Sequence, residues 1–240
     1  MIKEPSAVYF ISKADARKTG VIECDVTFIA RQVLISPHFF FTPIKDSLKG
    51  GCVLTDVGSV KENIIPLVQK HVPENVSWIP SHPIAGTEES GPEAGFSDLF
   101  KNRWCILTPG KKTKEKDINL LKSFWEKVGS RVDIMESKQH DYILSITSHM
   151  PHLIAYNIVN TSLNIQDEKE SSIVKYSAGG LRDFTRIAAS NPVMWRDIFI
   201  QNKNNTSKMI DKFIKNLEDL KKAIENTDRK KLEEIFTKTK

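Results

Sequence analysis

The sequence predicts an α/β chain in two parts, a mostly parallel sheet with helices on its faces and then an all-helical region. Two observations carry that expectation. Short β-branched or aromatic runs alternate with helix-spaced apolar residues as far as about residue 136. Beyond it helical spacing dominates, and Gly and Pro are confined to punctuation at Pro151, Gly179-Gly180 and Pro192. The predicted domains are therefore residues 1–136 and 137–240.

In chain order, residues 23–30 (ECDVTFIA) and 51–56 (GCVLTD) read as buried strands ending in polar loops. Ile64, Ile65, Val68 and Val72 carry the spacing of a helix from about residue 61, and residues 76–79 (VSWI) follow Pro73 as a strand. Residues 104–108 (WCILT) read as a strand. Ile118, Leu121, Phe124, Trp125 and Val128 mark an amphipathic helix closed by Gly129, and residues 131–135 (RVDIM) add one more strand. Near the end, Ile210, Phe213, Ile214, Leu217, Leu220 and Ile224 form one apolar stripe. Such a stripe serves either packing on its own domain or a helix shared between subunits.

Composition narrows the function classes. With 240 residues and 40% hydrophobic content the chain can bury a substantial core. The excess of 35 Lys and Arg over 30 Asp and Glu is only +5 and is interspersed with acids, so a nucleic-acid partner is not expected. Cys24, Cys52 and Cys105 are far apart with no CxxC spacing, which argues against a disulfide framework and against zinc. No signal peptide and no run of roughly 18 apolar residues is legible, so neither export nor a membrane span is expected and the protein reads as cytoplasmic.

Four constellations could carry chemistry. TDVGSVK, residues 55–61, leads from a strand end through glycine towards a helix. Ser59 there can reach a ligand at the carboxyl edge of a parallel sheet, although Asp56 or Ser59 as a plain helix cap is the ordinary alternative. SHPIAGTEESG, residues 81–91, puts His82 at another strand end, where a neutral imidazole can act as a general base. HDYILSITSHMPH, residues 140–152, brings His149 and His152 three apart, but no acidic ligand stands at HExxH spacing and Pro151 intervenes. The reading is a histidine lining a cleft and no metal. In GGLRDFTRIAASNPVMWRDI, residues 179–198, Asp183 and Arg186 are three apart, so an aspartate could pre-orient an arginine towards a carboxylate; a surface ion pair is the alternative.

These four motifs occur in the order and spacing of the prephenate and arogenate dehydrogenase family, which the chain resembles from about residue 20 to its end. The resemblance implies a Rossmann-type dinucleotide-binding domain, then a helical domain that dimerises, so a homodimer is expected. It implies oxidative decarboxylation of prephenate to 4-hydroxyphenylpyruvate with hydride transfer to NAD or NADP, or the same reaction on arogenate. By the same resemblance His82 and Ser59 are catalytic, and Arg186 holds a substrate carboxylate. Asp183 and Glu88 are its acidic partners, and His152 and Trp195 lie near the substrate side chain. Ala30, Asp56, Val57 and Ser59 flank the cofactor.

The departure from the family is at the start. Residues 1–50 hold Gly20 and Gly50 and no GxGxxG triplet, so the expectation is a truncated Rossmann-type domain, lacking its phosphate cradle and central strand and exposing an apolar sheet edge. After the first predicted strand stands Ala30-Arg31-Gln32, and residues 36–51 (SPHFFFTPIKDSLKGG) are unusually aromatic. A non-catalytic remnant that dimerises or binds an aromatic ligand is the rival reading.

Overall fold

The computed structural model describes residues 8–11, 25–29, 48–86, 94–169 and 179–240; Ala30, Glu88 and most of the aromatic segment lie outside the described residues. Strands β1 (Val8–Ile11), β2 (Val26–Ile29), β3 (Val53–Asp56) and β4 (Ser77–Trp78) form a parallel sheet in that order. A second sheet joins β5 (Ser81–Pro83) antiparallel to β6 (Trp104–Leu107), which runs parallel to β7 (Arg131–Ile134).

Two of these strands are absent from the sequence reading. β1 pairs with β2 from Val8↔Val26 to Ile11↔Ile29, so the described β2 has a partner on the side away from β3, where an open edge was expected. Its four residues, VYFI, are too few to show an alternation. β5 falls in the segment taken as a loop. Ile79 N donates to Leu54 O and Thr108 N donates to Pro80 O, so Pro80 passes the chain from one sheet to the other and sets Ser81–Pro83 beside β6.

The sheet half is held by an apolar layer. Val26, Phe28, Val53, Ile79, Leu107, Leu121 and Trp125 are at most 2% exposed and pack together. The helix α2 (Glu115–Lys127) supplies Leu121 and Trp125, and Trp125 meets Phe28 edge-on at 5.6 Å between centroids. The helix ends as its spacing predicts. Gly129 takes φ +95°, a left-handed conformation, directly after the cap residue Val128. The preceding short helix, α1 (Ile65–Gln69), begins later than predicted because Pro66 stands in its first turn and a looser turn occupies residues 62–64.

The helical half starts with α3 (Ser137–Leu144), widens into a π turn at Ser145–His149 and continues as α4 (Met150–Lys169). α5 (Gly179–Ala188) packs along α4. α6 (Pro192–Gln201) starts under an Asn191 cap whose Oδ1 accepts from Val193 N and Met194 N at 3.0 Å. The long α7 (Lys203–Glu225) and α8 (Arg229–Thr239) complete the chain. In the α7 stripe Ile210, Phe213 and Leu220 are half-buried, whereas Ile214, Leu217 and Ile224 remain 48–63% exposed. Packing within this chain therefore uses only part of the stripe.

Gly129 offers a test of the helix stop. A Cβ there would lie 3.1 Å from Lys101 Cα and at an unfavourable φ, so Gly129→Ala should cost about 1–3 kcal/mol in urea unfolding. The fully buried Leu121, truncated to Ala, should cost about 2–5 kcal/mol. A neutral Gly129→Ala would mean that the turn relaxes freely.

Candidate active site

The two halves enclose a cavity of about 640 Å³. Ser59, from the loop after β3, and His82, in β5, line it from the sheet half. Arg186 of α5 and His152 and Trp195 of the helical half line it from the other. Met194 and Ile198 supply apolar wall. Residues far apart in sequence are thus on one surface because α6 packs its Trp195 and Ile198 against Val60, next to Ser59.

Behind His82 runs a chain of buried hydrogen bonds. His82 Nδ1 lies 2.9 Å from His140 Nε2, and His140 Nδ1 lies 2.7 Å from Asp141 Oδ1. The Asp141 carboxylate also accepts the backbone N–H of Lys61 at Oδ1 and of Glu62 at Oδ2, each at 2.9 Å. His140 and Asp141 are 0% and 1% exposed. Sequence reading left His140 and Asp141, the first residues of the third motif, without a role, because the contact to His82 spans 58 residues and leaves no local spacing.

The loop after β3 has its own internal tie. Lys61 Nζ meets Asp56 Oδ2 at 2.6 Å, with both side chains buried, and Asp56 Oδ2 also accepts from Gly58 N at 2.9 Å. Asp56 Oδ1 accepts from Ser81 N at 3.2 Å, linking β3 to β5. Asp56 therefore faces protein partners on both oxygens. Val57 is half-buried and packs against the core of the sheet half. Gly58 is required by the same carboxylate, since a Cβ would sit 2.9 Å from Asp56 Oδ2.

On the helical side His152 stacks on Trp195, rings 3.7 Å apart and 22° from parallel, and its Nδ1 donates to Ser148 O at 2.9 Å. Ser148, Arg103, Ser190 and Asn191 also border the cavity and were not singled out from sequence. Tyr156 OH donates to Ser190 O at 2.7 Å, fixing the turn between α5 and α6. Asp183 is exposed on α5 and is not among the lining residues, so the described structure does not bring it to the cavity with Arg186.

Burial governs the histidines. It pushes His82 well below the ordinary value of 6.5, helped by the nearby His140, Lys61 and His149. His152 is also lowered by burial, with the Ser148 carbonyl opposing and Arg186 reinforcing. His149 is 1% exposed, its Nδ1 lies 3.2 Å from Asn202 Nδ2, and burial takes it from 6.5 down to about 4 against the pull of Asp141. Its folded value thus lies below the unfolded one, so the stability it gives is present above pH 6.5 and is lost as pH falls towards 4. The expected loss is up to about 3 kcal/mol, read as a fall in urea midpoint over that range that shrinks in His149→Leu.

Comparisons with known proteins agree with this geometry. The family model described as prephenate dehydrogenase, nucleotide-binding domain, matches residues 9–134, and the one described as prephenate dehydrogenase, dimerization domain, matches residues 136–238. The first match opens at β1, earlier than the residue 20 read from sequence. A cyclohexadienyl dehydrogenase of Zymomonas mobilis is 40% identical over 190 residues, 79% of this chain and 64% of that protein. A prephenate dehydrogenase of Bacillus subtilis is 30% identical over 228 residues, 95% of this chain and 61% of that protein. The chain therefore spans a little under two thirds of the length of these curated relatives. The crystal structure of prephenate dehydrogenase from Aquifex aeolicus, in complex with hydroxyphenyl propionate and NAD+, superposes with a TM-score of 0.82 at 36% identity, covering 90% of this chain and 74% of that one. With both halves matched in sequence and in fold, the chain belongs to the prephenate dehydrogenase family.

Proposed function

We propose that this chain catalyses the oxidative decarboxylation of prephenate to 4-hydroxyphenylpyruvate, with NAD or NADP as hydride acceptor. The observation that carries this reading is the meeting of His82 and Ser59 from one half with Arg186, His152 and Trp195 from the other on a single cavity. The names of its relatives supply the substrate class, a cyclohexadienyl acid.

The residues present fit the nicotinamide end of the cofactor. Ser59 lies at the carboxyl edge of a parallel sheet, where such a group binds, and shares the cavity wall with His82. Ser59 would hold that end with Ala30 and Val57 near it, and Asp56 would act by shaping the loop. When bound, the nicotinamide supplies the hydride acceptor.

His82 accepts the proton of the ring hydroxyl, which it can do because burial keeps it neutral near pH 7. Arg186 clamps a carboxylate, and Glu88 is proposed as its acidic partner. The His152–Trp195 stack gives the side-chain end of the substrate a flat wall. Among the described lining residues Arg103 and Arg186 carry fixed positive charge, which suits a substrate with two carboxylates.

The exposed Ile214, Leu217 and Ile224 of α7, within the part matched by the dimerization-domain model, support a homodimer formed through the helical half. A cytoplasmic setting is proposed with it, in accord with the free, buried thiol of Cys105. Among the described residues no helix is long and apolar enough to cross a membrane.

The test is formation of reduced nicotinamide by the purified chain with prephenate and NAD+ or NADP+; no turnover with either nucleotide overturns the reading. His82→Asn should lower kcat by about 100-fold or more with a small change in KM, whereas Arg186→Ala should chiefly raise KM, by about 10-fold or more. The opposite division would exchange the two roles. Since His82 works in its neutral form, the acid limb of kcat/KM should fall below pH 6.5, and a limb above it would contradict a base held neutral by burial.

A further inference from the structure

The buried chain behind His82 specifies which of its ring nitrogens can act. We propose that His140 and Asp141 are positioning residues that lock His82 with its proton on Nδ1 and its lone pair on Nε2. The inference deepens the function proposed above and rests on it for the role of His82.

In the proposed state His140 is neutral, and with that premise the protons follow from counting donors and acceptors. Asp141 takes two backbone N–H groups, one on each oxygen, an arrangement suited to an ionised carboxylate that only accepts. Its 2.7 Å contact with His140 Nδ1 therefore places a proton on that nitrogen. A neutral His140 then offers a lone pair at Nε2 and nothing else. At 2.9 Å from that lone pair, His82 Nδ1 must donate. What remains on His82 is Nε2 with a free lone pair, the state a base needs before it meets a hydroxyl.

Structure around the pair keeps it in place. Asn202 Nδ2 donates to Asp141 O at 2.7 Å, tying α3 to the start of α7. The rings of His82 and His140 meet edge-on, 66° apart, so sliding one past the other would break their bond. When the substrate hydroxyl gives up its proton, its O–H bond breaks and an N–H bond forms at His82 Nε2. The resulting imidazolium still donates through Nδ1 to His140, whose own N–H points at the Asp141 charge. No proton needs to move along the chain; its members orient and stabilise.

Nitrogen-15 NMR of histidine-labelled protein tests this without relying on turnover. The expected spectrum has His82 Nδ1 protonated and Nε2 unprotonated near pH 7, with the preference lost in His140→Leu. In prephenate turnover, His140→Leu should lower kcat by about 100-fold with KM within about threefold, and His140→Gln, whose amide oxygen can accept from His82, should recover about tenfold of that loss. Asp141→Asn should reduce kcat in the same direction and disturb the His140 tautomer. A wild-type spectrum with His82 Nε2 protonated, or an unchanged kcat in His140→Leu, would overturn the proposal. Should His140→Leu fail to fold, the wild-type spectrum and the Gln variant still decide. Absence of turnover in the wild type, with the expected tautomer present, would instead remove the functional reading and leave the tautomer lock standing.

Discussion

One buried carboxylate ties the two halves together behind the cavity. Asp141 projects from α3 and receives the amides of Lys61 and Glu62 from the sheet half, residues about 80 positions away in the chain. Burying a charge of this kind costs several kcal/mol unless hydrogen bonds replace the lost water, and here the two amides and His140 do so. Remove the charge and the first turn after the β3 loop loses its cap and His140 loses its anchor, leaving the apolar contact of Val60 with Trp195 and Ile198 to hold the halves together.

Lys61 is the counterpart on the other side, and it serves two anions at once. Its backbone N–H goes to Asp141 while its ammonium group goes to Asp56. A buried Lys–Asp pair gives little net stability against an apolar pair of the same shape, but losing one member leaves an uncompensated charge. Its value here lies in geometry. Asp56, held by Lys61, takes Ser81 N as well, so the loop bearing Ser59 and the strand bearing His82 are referenced to one carboxylate.

Much of the sheet half was legible because its elements obey local rules. The runs at 53–56 and 104–107 are β-rich and bounded by turns, and α2 carries both an apolar stripe and a glycine stop. β1 and β5 were not legible, the first for want of length, the second because SHP has a proline and reads as a turn. At the cavity, spacing alone offered His82 and Arg186 as separate possibilities, and only the resemblance of four motifs in register put them together. The link from His82 through His140 to Asp141 could not be read in either way, since it depends on how α3 packs against β5. Asp183 shows the limit of helical spacing: three residues from Arg186 on α5, it stays at the surface.

The π turn sets where the polar residues of the third motif fall. Pro151 has no N–H and its ring would crowd the carbonyl four residues back in a regular helix. The chain responds by widening at Ser145–His149, where Met150 N donates to Ser145 O, five residues earlier. This changes the angle between successive side chains just where three polar residues stand together. Ser148 and His152 border the cavity, while His149 turns inward to Asn202 with 1% exposure. His149 and His152, at i and i+3, both lie against Trp195, at 6.2 and 3.7 Å between ring centroids, the first buried and the second bordering the cavity. The same widening leaves Asp141 and His140 one turn upstream on an unbroken α-helical segment, so the irregularity that shapes the substrate side of the site does not reach the residues that hold His82.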